Sequence, residues 1–170
     1  MKLHASILTF SAALLASTPA LAAGSATADL DVSASVSESC TISASPLAFG
    51  AYDPVVANRS TDLDGTGSVT VTCTAGAPVA VRLDQGLNAG VGSSDAAPAR
   101  QMAGSRGGEL SYALYSDTQR TQVWGNDDEN AVTSEGTGGA VELTVYGRIP
   151  GGQNVPAGDY ADTVVATVTF

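Results

Sequence analysis

Apolar and polar residues alternate with a period of two along most of the chain, and this pattern predicts extended strands. Ala26, Ala28, Leu30, Val32, Ala34 and Val36 fall on one face of such a segment, with Thr27, Asp29, Asp31, Ser33 and Ser35 on the other. Similar runs predict strands over 68–74, 78–84, 109–116, 139–149 and 160–170, and shorter ones near 40–43, 47–52 and 120–124. Turn signals separate them at Asp64-Gly65, Ala75-Gly76, Gly125-Asn126 and Gly151-Gly152. Residues 85–108, rich in Gly, Ala and Ser and almost without period, read as a long surface loop or a short edge strand. Many short strands punctuated by turns, with no internal repeat, predict an all-β chain folded as one antiparallel β-sandwich.

The run at 160–170 is the strongest of these. Tyr160, Asp162, Val164, Ala166, Val168 and Phe170 share one face; Ala161, Thr163, Val165, Thr167 and Thr169 share the other. No turn or further strand is expected beyond it to cover its edge. An uncovered edge leaves backbone donors and acceptors unpaired, so an outside strand is expected beside it. The alternating segment at 26–36 is a candidate, but periodicity alone leaves open whether it folds back or reaches across to a neighbour.

The first residues carry an export pattern. Lys2 supplies a positive start, Ile7 to Leu15 an apolar run broken only by Thr9 and Ser11, and Ala20-Leu21-Ala22 a small-x-small cleavage site. That run is shorter than the roughly 20 residues a membrane span needs. Residues 1–22 are therefore read as a signal peptide cut after residue 22 or 23. What remains, about 147 residues, suits one domain with a sizeable core. Lys2 and His4, the only lysine and histidine, leave with the signal. Six arginines then face seventeen acids, a formal charge of −11. Such a surface repels nucleic acid and anionic lipid, so neither is expected as a partner.

Cys40 and Cys73 remain in a chain bound for an oxidising compartment, where one disulfide is the natural reading. It closes a loop of about 34 residues and contributes roughly 4 kcal/mol on chain-entropy grounds. A metal pair or a redox pair is the rival. Two cysteines with no histidine nearby make a poor zinc site, and the spacing is not Cys-x-x-Cys.

Other chemistry is scarce. Without histidine there is no Ser-His-Asp triad or histidine base, and without lysine no Schiff base or P-loop. No catalytic residue, metal site or cofactor is expected, and the chain is read as non-enzymatic. A hydrolase using paired carboxylates is the weakest alternative. Asp127, Asp128 and Glu129 read as an acidic turn, with a weak cation site as the alternative, and Asp62-Leu63-Asp64-Gly65 lacks the downstream glutamate of a calcium loop. Trp124, Tyr112, Tyr115, Tyr146 and Phe49 are expected in the core rather than in a sugar-binding platform. Arg148 is expected in a structural ion pair.

Several motifs together resemble the spore coat protein U family. They are Leu47-Ala-Phe-Gly-Ala-Tyr-Asp-Pro54, Val69-Thr-Val-Thr-Cys-Thr74, Leu110-Ser-Tyr-Ala-Leu-Tyr-Ser-Asp117, Trp124-Gly125, Val145-Tyr-Gly-Arg-Ile-Pro150 and the ending Gln153 to Phe170. They run in order from about Cys40 to Phe170. The family includes subunits of Csu-type pili of the archaic chaperone–usher pathway. The resemblance implies an incomplete immunoglobulin-like sandwich completed by a donor strand from a neighbouring subunit. A periplasmic chaperone would fill the groove first, and at the outer-membrane usher the next subunit's N-terminal extension would replace it.

Carried onto this chain, the resemblance makes residues 23–37 the donor extension and 38–170 the pilin domain. Ala26, Ala28, Leu30, Val32, Ala34 and Val36 are the donor side chains; Tyr160, Val164, Ala166, Val168 and Phe170 are the acceptor-groove edge. Three of the donors are alanines, so Leu30, Val32 and Val36 carry most of the burial, about 5–9 kcal/mol together. A whole domain is stable by only ~5–15 kcal/mol. The partners implied are identical or related pilin subunits joined head-to-tail, the chaperone and the usher. The implied location is the periplasm and then the cell surface, in adhesion and biofilm formation. A protective spore or cyst coat, or a tip-located carbohydrate-binding adhesin, is the alternative setting.

Overall fold

A computed structural model describes residues 23–170; the signal-peptide reading of residues 1–22 lies outside the described residues. Residues 23–35 fall outside the unit formed by the rest of the described chain, and they are exposed and without regular secondary structure. The strand expected over 26–36 is thus not formed. Among the described residues the segment has no partner strand and hence no ladder to hold it, so alternation by itself does not make a strand.

Residues 36–170 form an antiparallel β-sandwich. Its nine strands are β1 (Cys40–Ser45), β2 (Leu63–Cys73), β3 (Pro78–Leu83), β4 (Arg100–Gly104), β5 (Glu109–Tyr115), β6 (Val132–Glu135), β7 (Ala140–Ile149), β8 (Tyr160–Ala161) and β9 (Ala166–Thr169). One sheet runs β1-β2-β7-β5-β4-β8 and the other β6-β3-β9. Val69, Val71, Val81, Leu83, Leu110, Leu114, Val145 and Ile149 meet between them around a fully buried Trp124, whose indole N–H donates to the Val81 carbonyl at 2.9 Å.

Three departures from the sequence reading have physical causes, and within 85–108 the short strand that the sequence allowed is formed. Asp64-Gly65 is not a turn but lies inside β2, opposite Arg148 and Gly147. The glycine there serves the packing of Phe49, whose ring lies 3.0 Å from where a Cβ would stand. Residues 47–52 form no strand; they cross the inner face of the larger sheet instead of pairing along its edge. The run 160–170 is split between the two sheets, β8 pairing with β4 and β9 with β3. Within 85–108, Arg100 opens the edge-side strand β4, only 1% exposed, with its guanidinium donating to the carbonyls of Leu83, Asp84 and Trp124.

The disulfide joins Cys40 to Cys73, which are directly opposed partners in the β1–β2 ladder. It pins an edge strand to its neighbour at the point where residues 36–39 enter the sandwich.

Candidate functional site

The two sheets differ in width, and the difference leaves a seam. β1 is an edge of the larger sheet and β9 an edge of the smaller, and the two approach one another. Beyond Ala44 on one side and Ala166 on the other, the seam widens into an apolar groove of about 1120 Å³.

One rim is the stretch 44–54, from the end of β1 into the loop; the other is 155–164, leading through β8 toward β9. Leu83, Met102, Leu110, Tyr112, Leu114, Val145 and Ile149 form the floor. This floor is the hydrophobic core itself, reached from outside.

The first rim is placed by three glycines. Gly65, Gly67 and Gly147 sit on the inward face of β2 and β7, and Leu47 and Phe49 lie flat upon them. A Cβ at Gly147 would stand 2.7 Å from the Phe49 ring and 2.8 Å from Leu47. Phe49 then meets Tyr112 edge-to-face, ring centroids 6.2 Å apart. Tyr52 completes the rim, its hydroxyl donating to the Pro150 carbonyl at 3.0 Å and accepting from the Gln153 amide at 2.9 Å.

The second rim alternates throughout. Residues 160, 162, 164, 166 and 168 are half-buried, and 161, 163, 165, 167 and 169 are exposed, even across the break between β8 and β9. Asp162 is a polar group within this otherwise apolar wall. It accepts from the amides of Leu87 and Asn88, from the Asn88 side chain, and from the Tyr112 hydroxyl at 2.7 Å. Burial, and then the bond to Asp162, pushes the Tyr112 phenol well above its ordinary range.

Of the residues singled out from sequence, Tyr160, Val164 and Ala166 line the groove. Val168 is half-buried opposite Val81. Phe170 is 51% exposed and borders a separate hollow with Pro78, Ala80 and Thr133. Ala26, Ala28 and Ala34 are exposed, and Leu30, Val32 and Val36 are each 86% exposed. The other rim went unread. The alternation of Leu47 and Phe49, together with glycines at 65, 67 and 147, was the available signal.

Elsewhere, Arg148 makes two bonds to Asp64, at 2.7 and 3.0 Å, and lies 3.4 Å from Asp62. Asp128 pairs with Arg82. Among the described residues, no three His, Cys, Asp or Glu side chains come together in a metal-holding arrangement.

Comparison with known proteins gives three findings. The Spore Coat Protein U domain family matches residues 26–167. The chain is 44% identical to Protein U of Myxococcus xanthus over 177 residues, covering 100% of this chain and 98% of that protein. It also resembles a chain in the crystal structure of the CsuC–CsuE chaperone–tip adhesion subunit pre-assembly complex, from archaic chaperone–usher Csu pili of Acinetobacter baumannii. There the TM-score is 0.56 and the identity 22%, over 79% of this chain and 40% of that one. The present chain thus spans less than half of that solved chain, and at this identity the likeness is one of fold, an immunoglobulin-like antiparallel sandwich.

Proposed function

The chain belongs to the spore coat protein U domain family, and from that premise we propose that it is an exported structural subunit of a surface fibre or coat that polymerises by donor-strand exchange. Residues 1–22 act as the export signal, 23–37 as the donor extension and 38–170 as the receiving domain. One observation carries the reading. The chain holds both an apolar groove open to its own core and an alternating segment whose Leu30, Val32 and Val36 remain exposed. Groove and segment are complementary in chemistry, and burying three such side chains contributes about 5–9 kcal/mol.

Because groove and segment are different surfaces, the contact is head-to-tail and generates an open filament. A periplasmic chaperone covers the groove before assembly, and an outer-membrane usher is where exchange takes place. The likeness to a chain of a chaperone–tip adhesion subunit complex supports the first of these. Adhesion and biofilm formation follow from a surface fibre. The family's name keeps a spore or cyst coat as an alternative setting for the same assembly. A sugar platform built on Trp124 is not supported, since that ring is fully buried.

The test is the double variant Leu30→Asp, Val32→Asp. Fibres are expected to stop extending while the variant is still captured by its chaperone. Normal polymerisation overturns the proposal.

A further inference from the structure

Thr74 lies where residues 36–39 join β1. Its carbonyl is committed to the turn into β3, accepting from the Ala77 amide at 3.1 Å. Its amide carries the β1–β2 ladder one step past the disulfide, donating to the Ser39 carbonyl at 2.9 Å. The reciprocal bond from the Ser39 amide goes to the Thr74 hydroxyl instead, at 3.0 Å. That hydroxyl in turn lies within donating distance of the carbonyls of Ser39, at 3.3 Å, and Ser37, at 3.4 Å. One side chain thus replaces a carbonyl the turn has taken and prolongs the ladder to Ser37.

We infer that Thr74 keeps residues 26–36 out of the subunit's own groove and so commits them to a neighbouring copy; this rests on the donor-strand reading above. For the segment to pair with the free edge of β1 in its own subunit, the chain has to reverse within Ser37-Glu38-Ser39. Tight hairpin turns call for Gly or Asn at positive φ, and this triplet has neither. Reversal also breaks the bonds that Thr74 makes to Ser37 and Ser39. The Cys40–Cys73 bridge prevents β1 from peeling away to relieve the turn. Reaching across to another subunit needs no reversal, so the latch acts on one outcome only.

The experiment compares the mature chain, disulfide intact, as wild type, Thr74→Val, Thr74→Ser and a form lacking residues 26–36. Each is refolded over a range of concentrations. Light scattering after size exclusion reads the oligomer distribution, and amide exchange reads protection of residues 26–36 in the monomer fraction.

Wild type and Thr74→Ser are expected to oligomerise as concentration rises. Thr74→Val is expected to hold about two- to tenfold more monomer with residues 26–36 protected, the range that the loss of exposed hydrogen bonds allows. Glu38→Asn with Ser39→Gly, which supplies turn residues while keeping Thr74, is expected to shift the balance the same way. If wild type oligomerises but neither Thr74→Val nor the turn variant raises the protected monomer, the latch is overturned and the donor-strand reading stands. If wild type and the shortened form stay equally monomeric throughout, the donor-strand reading falls and the latch with it.

Discussion

Tyr112 donates its phenolic hydrogen to Asp162 at 2.7 Å, tying the floor of the groove to its rim. The same carboxylate accepts from the amides of Leu87 and Asn88, so it also fastens the loop after β3 to the crossing between β8 and β9. Asp84 mirrors it, accepting from Gly86 and Val165. Two aspartates thus satisfy the backbone at the place where a strand leaves one sheet for the other.

Tyr112→Phe removes this bond without changing the ring that Phe49 packs against. A hydrogen bond to a charged group contributes about 1.5–3 kcal/mol, so denaturant unfolding at neutral pH should show a loss of that order. The alkaline side gives a second readout. Burial and Asp162 hold the folded phenol's pKa above its unfolded value near 10, so the folded state keeps a proton the unfolded state releases. That stability is complete below pH ~10 and is lost as pH rises further. The variant should show a shallower alkaline limb; an unchanged limb means that Tyr112 does not govern it.

Much of this architecture was legible because inward residues recur every second position, and burial selects for that. What stayed hidden depended on partners distant in sequence. The alternation from Tyr160 to Val168 is real, yet period two cannot reveal that Asp162 is bonded elsewhere and the ladder changes sheets. Arg100 was opaque for a related reason. A charged side chain breaks an apolar pattern, and only the fold brings it the carbonyls of Leu83, Asp84 and Trp124. The missed rim at 44–54 depends on glycines of two other strands. β6 carries a single large apolar residue, Val132, too little for a pattern.

The glycine bed makes a sharp prediction. Gly147→Ala places a methyl 2.7 Å from the Phe49 ring, inside contact distance, so Phe49 has to move or the strands have to part. Overpacking of this kind costs about 1–3 kcal/mol, against which the better strand propensity of alanine is small. Gly139→Ala is the control, because its nearest neighbour is the Thr137 hydroxyl at 3.8 Å. Urea unfolding should separate the two variants clearly. Equal midpoints would mean that the rim yields freely.

Cys40→Ser should lower the yield of folded protein. β1 is an edge strand whose residues from Thr41 onward are exposed, so little apolar packing retains it once the bridge is gone. The chain-entropy contribution of the bridge is roughly 4 kcal/mol, a large share of a typical domain's stability. Limited proteolysis of the recovered fraction should cut first within 36–45. Unchanged yield and cleavage would show that the ladder alone suffices.

The acid side of the stability profile should be set partly by Asp64. The hydrogen bond from Arg148, and then the nearby charge of Arg120, holds its carboxyl below the ordinary aspartate range. Asp53 and Asp117 are lowered chiefly by backbone amides, of Val55 and Val56 in the first case and Gln122 in the second. With the folded pKa depressed, the unfolded chain takes up the proton first as pH falls. The contribution is therefore present above pH ~4 and is lost progressively below it. Asp64→Asn should be less stable than wild type at neutral pH and should lose less between pH 5 and 2, while the lowered carboxyls of Asp53 and Asp117 still contribute to the slope that remains. Arg148 and Asp64 are both partly exposed, so high salt should narrow the neutral-pH gap between variant and wild type. Parallel acid limbs for the two proteins would mean that this pair contributes nothing to the fold.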